Sequence, residues 1–281
     1  MMSRGHLLRV LAEEDPLIEE VALAIAADAY PGLDVARQRA ELDAFAAPLV
    51  DHVKRENGLN SQIKLLNARL FGELRFRGNE ESYYDPRNSY LNEVIVRRVG
   101  IPISLAVVMM AVGRRVGLAV EGIGFPGHFL VRVGGARGHF VDPFHGGRAL
   151  SRDELITLAE RFDAQARSAS RDGALDVDAL ASYLQPVDAR AIAVRMLVNL
   201  KHVYERGGDS ARALVACDRL VDVAGEPHHR RDRGKHALQL GAHRAARVDL
   251  SAYLRVVPDA EDAEEIRALV TEATRNEPPL N

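Results

Sequence analysis

The sequence predicts an α+β protein that is mostly α-helical, and three patterns carry that prediction. Apolar residues recur at three- and four-residue spacing through the first and last thirds of the chain, which is the period of helices. The middle third holds short β-prone runs at 119–124, 129–133 and 139–144, separated by glycine-rich turns. In the last third, glycine and alanine positions repeat at a 33-residue offset. We therefore expect amino-terminal helices, a small antiparallel sheet and carboxyl-terminal helix-turn-helix repeats.

The amino-terminal helices are predicted from apolar stripes and the breaks between them. Leu17, Val21 and Ile25 share one helical face, and the Tyr-Pro-Gly sequence at 30–32 ends that helix. Asp34 is placed to cap the next helix, and a further helix is expected within 59–76.

Two helices are expected to lead into the sheet. Asn88 or Ser89 is placed to cap the first of them, which Gly100 ends. Pro102 suits the first turn of the second helix, so Ser104 belongs to the amino-terminal turn of that helix.

The hairpin of the sheet predicts which side chains meet. If Val133 pairs with His139 across the five-residue turn, Leu130 faces Asp142. His128 then lies diagonal to Asp142 on the same face of the sheet. We therefore expect a hydrogen bond between His128 and Asp142.

The carboxyl-terminal region is predicted to be helical, with internal repetition. Ser151 and Glu154 have the spacing of a capping box and predict a helix from 151 to about 162. The residues that recur at the 33-residue offset are Gly208 with Gly241, Ala213 with Ala246, and Leu220 with Tyr253. We expect a first domain over 1–165, a polar connector over 166–187, and helix-turn-helix repeats over 188–275.

Composition narrows the classes of partner and cofactor. A net charge of -3 with 27% charged residues favours neither nucleic acid nor a membrane surface as partner. The chain shows no signal-peptide pattern and no apolar run long enough for a transmembrane helix. One cysteine forms no internal disulfide, which fits a reducing cytoplasm. No glycine motif for phosphate-bearing cofactors is present, so no cofactor is predicted.

Ser104, His128 and Asp142 follow the chain order of a nucleophile, a base and the residue that orients the base. A carboxylate on one imidazole nitrogen fixes the tautomer and frees the other nitrogen to act as a base. A helix start stabilises a thiolate or an oxyanion. However, Ser104 offers a hydroxyl, and the one cysteine, Cys217, lies far downstream.

Four motifs around these residues resemble the SirB-type bacterial branch of the transglutaminase-like superfamily. They are Asn88-Ser-Tyr-Leu-Asn92, Gly100-Ile-Pro-Ile-Ser104, Phe125-Pro-Gly-His-Phe-Leu-Val131 and Asp142-Pro-Phe-His-Gly-Gly147. Further matches are Arg195-Met-Leu-Val-Asn-Leu-Lys201, Arg230-Arg-Asp-Arg-Gly234 and Asp249-Leu-Ser-Ala-Tyr-Leu254. The resemblance covers about residues 7–269. It implies a transglutaminase-like (papain-like) core followed by tetratricopeptide-like repeats.

The resemblance also implies a catalytic set of cysteine, histidine and aspartate. His128 and Asp142 match the last two, and Ser104 stands near the cysteine position. Our leading hypothesis is a pseudoenzyme that serves as an interaction or regulatory module, with a protein partner bound through the repeats. The alternatives are a serine-dependent hydrolase of an amide or ester using Ser104, His128 and Asp142, and a peptide-binding pocket without turnover.

Other polar and aromatic residues are candidates for the same cleft. The candidates for binding are Asn88, Ser89, Asn92, Phe125 and Gly127, with Ser89 as the second choice of nucleophile. Capping explains Asn88 or Ser89 as well, and Phe125 to Gly127 also fits a turn that delivers His128 to its strand.

Histidines cluster near Asp232 in the predicted repeats. The histidines are His228, His229 and His236, and they are interleaved with arginine and lysine, whose charge opposes cation binding. We therefore expect an ion-pair network or a basic helix face there. We predict a turn, without metal, at the His145-Gly-Gly147 sequence.

Overall fold

The computed structural model describes residues 5–162 and 177–277, and the chain divides into two compact units. We call Met1–Ile192 the core unit and Ala193–Asn281 the repeat unit. The architecture is mixed α+β and mostly α, as predicted. Part of the expected connector, 166–176, lies outside the described residues.

The core unit contains nine described α-helices before the helix that crosses the unit boundary. They are α1 (His6–Leu11), α2 (Ile18–Ala29), α3 (Val35–Ala46), α4 (Val50–Arg55), α5 (Leu59–Asn67), α6 (Leu91–Arg97), α7 (Pro102–Arg115), α8 (Arg152–Phe162) and α9 (Val177–Tyr183). Asp34 caps α3 by accepting a hydrogen bond from the Arg37 amide, as expected. Ser151 and Glu154 form the predicted capping box at the start of α8.

Six short strands form two sheets in the described part of the core unit. They are β1 (Arg77–Gly78), β2 (Val99–Gly100), β3 (Val120–Ile123), β4 (Leu130–Val133), β5 (His139–Asp142) and β6 (Arg148–Ala149). The larger sheet is antiparallel in the order β3-β4-β5-β6, and Val133 pairs with His139, as the hairpin predicted. Strands β1 and β2 form a separate parallel pair that the sequence pattern did not predict.

Helix α7 lies at the centre of the core unit. It packs against α2, α3 and α6 on the helical side and against β3 and β4 on the sheet side. Ile103 to Met109 are all buried. Because one helix is enclosed by both layers, its first turn is fixed firmly relative to the sheet.

The start of α6 corrects one expectation. Neither Asn88 nor Ser89 caps it, because Asn88 closes a short 3₁₀ turn, Pro86–Asn88, and the residue before the helix is Tyr90. The helix also ends before Gly100, at Arg97, where Arg98 adopts a left-handed conformation with φ 61°. Gly100 instead lies in β2.

The repeat unit follows the predicted 33-residue period. Its helices are α10 (Ala189–Arg206, which begins in the core unit), α11 (Ser210–Val223), α12 (Pro227–Gln239), α13 (His243–Val256) and α14 (Ala263–Asn276). Helices α11 and α13 have equal length and begin 33 residues apart. The glycine before each, Gly208 and Gly241, has a positive φ of 70° and 73°. Along the described ranges, no helix meets the length and hydropathy needed to cross a bilayer.

Candidate functional site

A tight turn places His128 at the entrance of β4. The His128 amide donates to the Phe125 carbonyl oxygen at 3.1 Å, and Gly127 has a φ of 62°. Proline in the second position and a left-handed glycine in the third are the requirements of a type II turn. The turn predicted for Phe125 to Gly127 is therefore present. A Cβ on Gly127 would also lie 2.4 Å from the Phe162 ring. The position therefore requires glycine both for its positive φ and for the space that the ring occupies.

His128 and Asp142 form a buried hydrogen-bonded pair. His128 Nε2 lies 2.9 Å from Asp142 Oδ2, and the two residues are 8% and 2% exposed. Their contact follows from the hairpin register, which brings the residues at the start of β4 and the end of β5 to one edge of the sheet. The expected contact between His128 and Asp142 is present.

His145 is a third member of this cluster. Its Nδ1 lies 2.7 Å from the same Asp142 Oδ2. The other carboxylate oxygen, Oδ1, accepts hydrogen bonds from the amides of Phe144 at 3.0 Å and His145 at 3.4 Å. The carboxylate is thus held at one oxygen by the backbone and presented to two imidazole rings at the other.

The electrostatics of the cluster favour an ionised Asp142. Burial acts to raise the pKa of Asp142, but the hydrogen bonds and charges of His128 and then His145 outweigh it. The pKa of Asp142 therefore lies below its ordinary value. A buried anion is present at this edge of the sheet at neutral pH.

Phe144 forms an apolar wall beside the two imidazoles. Its ring meets the His128 and His145 rings edge-on, with centroids 6.2 and 5.1 Å apart. On its other side it packs over Gly78, where a Cβ would lie 2.6 Å from the ring. Glycine in β1 is thus required for Phe144 to fill this place.

Ser104 has hydrogen bonds of its own, and they run to the backbone. Its Oγ accepts from the Ile101 amide at 3.0 Å and donates to the Asn88 carbonyl oxygen at 2.6 Å. The residue is fully buried. Gly100 packs directly against Ser104 Oγ, and Gly100 pairs with Gly78, which contacts Phe144. The hydroxyl proton of Ser104 is thus engaged by the backbone.

Asn88 is fully buried and its side-chain amide is engaged within the fold. It donates to the carbonyl oxygens of Ser82 at 2.8 Å and Tyr83 at 3.2 Å. Its Oδ1 accepts from Asn79 and, at 3.4 Å, from Arg97. The contact with Arg97 ties the 79–88 loop to α6, and the Asn88 carbonyl oxygen ties it to Ser104 in the first turn of α7.

The remaining candidate binding residues are dispersed. Ser89 Oγ and Asn92 Oδ1 are buried and have no hydrogen-bond partner among the described residues. Phe125 is fully buried and packs edge-on against Tyr183, with ring centroids 6.1 Å apart. Among the described residues, none of these three side chains forms a hydrogen bond with His128 or Asp142.

The histidine-rich segment of the repeat unit is an ion-pair network. Asp232 is paired with Lys201 and with Arg231, and His236 Nε2 contacts Glu205 at 3.1 Å. Arg233 bridges Asp249 and Asp218. The expected network is therefore present. Cys217 is fully buried in α11, and burial raises the pKa of its thiol to about 12.

Sequence reasoning missed His145. We predicted only a turn for His145-Gly-Gly147, and the turn is present, with φ of 72° and 75° at Gly146 and Gly147. The local signal was the three-residue spacing between Asp142 and His145. That spacing becomes informative only once the Asp142 carboxylate is known to point toward the His145 ring.

Comparisons with known proteins agree with this architecture. A family model described as the transglutaminase-like superfamily matches residues 36–198, and a tetratricopeptide repeat model matches 200–271. A UPF0162 protein of Xylella fastidiosa is 39% identical over 262 residues, covering 92% of this chain and 91% of that protein. A UPF0162 protein of Pseudomonas aeruginosa is 29% identical and covers 92% of both chains.

Two weaker similarities complete the comparison. Human F-box only protein 21 is 40% identical over 88 residues, which is 31% of this chain and 14% of that protein. A crystal structure of menin matches with a TM-score of 0.40 at 10% identity, covering 95% of this chain and 73% of that one, which is too low to support an argument. On the family models and the bacterial relatives together, the chain belongs to the transglutaminase-like superfamily, in the SirB-type branch of UPF0162 proteins.

Proposed function

We propose that this protein is a non-catalytic interaction or regulatory module, in which the core unit has the family fold without its acyl-transfer chemistry. The observation that carries the proposal is the state of the Ser104 hydroxyl. It is fully buried, donates its proton to the Asn88 carbonyl and accepts from the Ile101 amide.

A serine nucleophile depends on a base that takes its proton. In an active Ser-His pair the hydroxyl donates to the imidazole, and the oxygen faces the substrate. Here the proton of Ser104 is donated to a backbone carbonyl, and His128 Nε2 faces Asp142. The Ser104 hydroxyl therefore has the partners of a structural role, whereas the His128–Asp142 pair is compatible with either function.

The one thiol of the chain does not replace the missing nucleophile. Cys217 is in the repeat unit, and burial raises the pKa of its thiol to about 12. A thiol attacks as the thiolate, and almost none forms at neutral pH when the pKa is this high.

The repeat unit supplies the surface for a protein partner. Tetratricopeptide repeats generally mediate protein-protein interactions. A polar groove of about 310 Å³ lies along α10 to α12. Its lining includes Glu205, Ser210, Lys235, His236 and Gln239. Charged and amide groups in such a groove select a partner through hydrogen bonds and complementary charge.

The interaction half of the proposal is tested by capture from a bacterial lysate with the immobilised full chain. We expect a defined partner to be retained by the wild type and by Lys64→Glu, an exposed change in the core unit. Lys235→Glu, which reverses charge in the groove, is expected to release it. Equal capture by both variants would show that the partner does not bind in the groove.

The catalytic alternative is a serine hydrolase, and it is supported by the formed His128–Asp142 pair. A serine-directed fluorophosphonate distinguishes the two functions. We expect the folded wild type to be labelled no more than Ser104→Ala. Labelling of the wild type that Ser104→Ala abolishes would establish the hydrolase and overturn the proposal.

A further inference from the structure

We propose that His128, Asp142 and His145 form a binding site for a divalent transition-metal ion, with His128 Nε2, Asp142 Oδ2 and His145 Nδ1 as ligands. Their ligand atoms all lie within 4.8 Å of one another. The inference is independent of the proposed function, because a metal can bind whether or not the protein turns over a substrate.

The donor set suits this class of ion. Imidazole nitrogens bind zinc, iron, nickel and copper, and two histidines with one carboxylate form a known facial arrangement that leaves positions open. Calcium and magnesium prefer all-oxygen ligands. Two nitrogens and one oxygen therefore select a transition metal over those ions.

Two of the three distances between the ligand atoms match one face of a coordination sphere. Three ligands about 2.1 Å from one ion on an octahedral face lie roughly 3.0 Å apart. The two distances from Asp142 Oδ2 are 2.9 Å to His128 Nε2 and 2.7 Å to His145 Nδ1. The third pair, the two imidazole nitrogens, lies within 4.8 Å, and both rings must turn so that the nitrogen lone pairs now aimed at Oδ2 point to one ion.

The ligands are held in place by surrounding contacts. The amides of Phe144 and His145 fix Asp142 Oδ1, so Oδ2 is left to face the imidazoles. The type II turn at Gly127 positions His128, and the Phe144 ring packs beside both histidines. Such outer contacts orient ligands and raise metal affinity.

The site combines a buried anion with a route from solvent. The side chain of Asp142 is 3% exposed and that of His128 is 8% exposed, whereas that of His145 is 49% exposed. An ion can therefore enter past His145. Each histidine must present a lone pair at the nitrogen that now faces Oδ2, so the ion competes with the protons that those nitrogens donate.

Zn²⁺ titration of the metal-free full chain tests the site. Against a chromogenic chelator, we expect the wild type to bind one tight equivalent. His145→Ala is expected to weaken binding by at least about 100-fold, because losing a ligand costs more than losing an outer-shell partner, which costs about 10–100-fold. His139→Ala, which removes an exposed histidine of the same sheet, is expected to leave the affinity unchanged.

Two further measurements check that the variant folds and that His145 is a ligand. His145 is half exposed, so His145→Ala is expected to fold, and circular dichroism verifies this. Co²⁺ bound to the wild type is expected to give ligand-field absorption that His145→Ala abolishes. The proposal is overturned if the wild type binds no tight equivalent, or if folded His145→Ala binds Zn²⁺ as the wild type does.

Discussion

Asp142 in the core unit and Asp232 in the repeat unit are both buried carboxylates with a lowered pKa, but their partners differ. For Asp232, burial acts to raise the pKa, and Lys201 and then Arg231 outweigh it. Asp142 is held instead by His128 and His145. One carboxylate is paired with permanent cations and the other with imidazoles that can become neutral.

This difference decides which cluster is available to a ligand. Lysine and arginine remain protonated at neutral pH, so a cation that approached Asp232 would meet two positive charges. Neutral imidazole offers a lone pair. Although the repeat unit has more histidines near its aspartate in sequence, we assign the proposed metal site to the core unit. We assign a structural role to the network around Asp232.

The largest effect is expected from Asp232→Asn. It leaves the buried Lys201 ammonium without its counter-charge, and breaking one partner of a buried pair costs about 3–5 kcal/mol. Urea unfolding followed by circular dichroism measures the loss. Glu265→Gln, in the more exposed pair with Lys235, is the control and is expected to cost less than about 1 kcal/mol. Equal losses of unfolding free energy in the two variants would contradict the structural role assigned to Asp232.

A second prediction concerns stabilisation by metal. Zn²⁺ at a hundred times its dissociation constant is expected to raise the free energy of unfolding by about 2.7 kcal/mol. His145→Ala is expected to lose this gain, whereas Asp232→Asn is expected to keep it. Thermal unfolding with and without Zn²⁺ provides the measurement. A gain that depends on Asp232 would reverse the assignment of the two clusters.

A third prediction concerns how the stabilising contribution of Asp232 depends on pH. Because its folded-state pKa lies below the ordinary value of 3.8, its stabilising contribution is complete above that value and is lost as the pH falls through the folded pKa. The stability difference between wild type and Asp232→Asn is therefore expected to shrink below about pH 4, by about 1.4 kcal/mol for each unit of pKa lowering. A constant difference from pH 7 to pH 3 would contradict the lowered pKa.

The smallest effect is expected from Ser104→Ala. It removes a buried hydroxyl whose net contribution is about 1 kcal/mol, and Zn²⁺ affinity is expected to stay the same. Thr157→Ala, which removes an exposed hydroxyl bonded within α8, is the control and is expected to be nearly neutral. A drop in Zn²⁺ affinity in Ser104→Ala would tie Ser104 to the cluster.

Much of the fold was predictable because it follows from local, periodic sequence patterns. The helix stripes and the capping residues Asp34 and Ser151 involve neighbours along the chain, and the 33-residue offset is a repetition of such a local pattern. The pairing of Val133 with His139 also follows from a short turn. Given that register, the contact between His128 and Asp142 could be predicted as well.

The errors lie where distant segments meet. The parallel pair of β1 and β2 joins segments more than twenty residues apart, and it takes Gly100 out of the helix end predicted for it. Asn88 fits a helix cap by sequence, but the 79–88 loop engages its amide instead. His145 escaped prediction because its role depends on where Asp142 points, which tertiary packing sets.

The most direct test of the comparison between the two carboxylates is a crystal structure of the full chain loaded with Zn²⁺, with anomalous scattering to locate the ion. We predict a peak about 2.0–2.2 Å from His128 Nε2, Asp142 Oδ2 and His145 Nδ1, with Asp232 still paired to Lys201. A peak at His229 or His236 beside Asp232, or none at the core cluster, would contradict it.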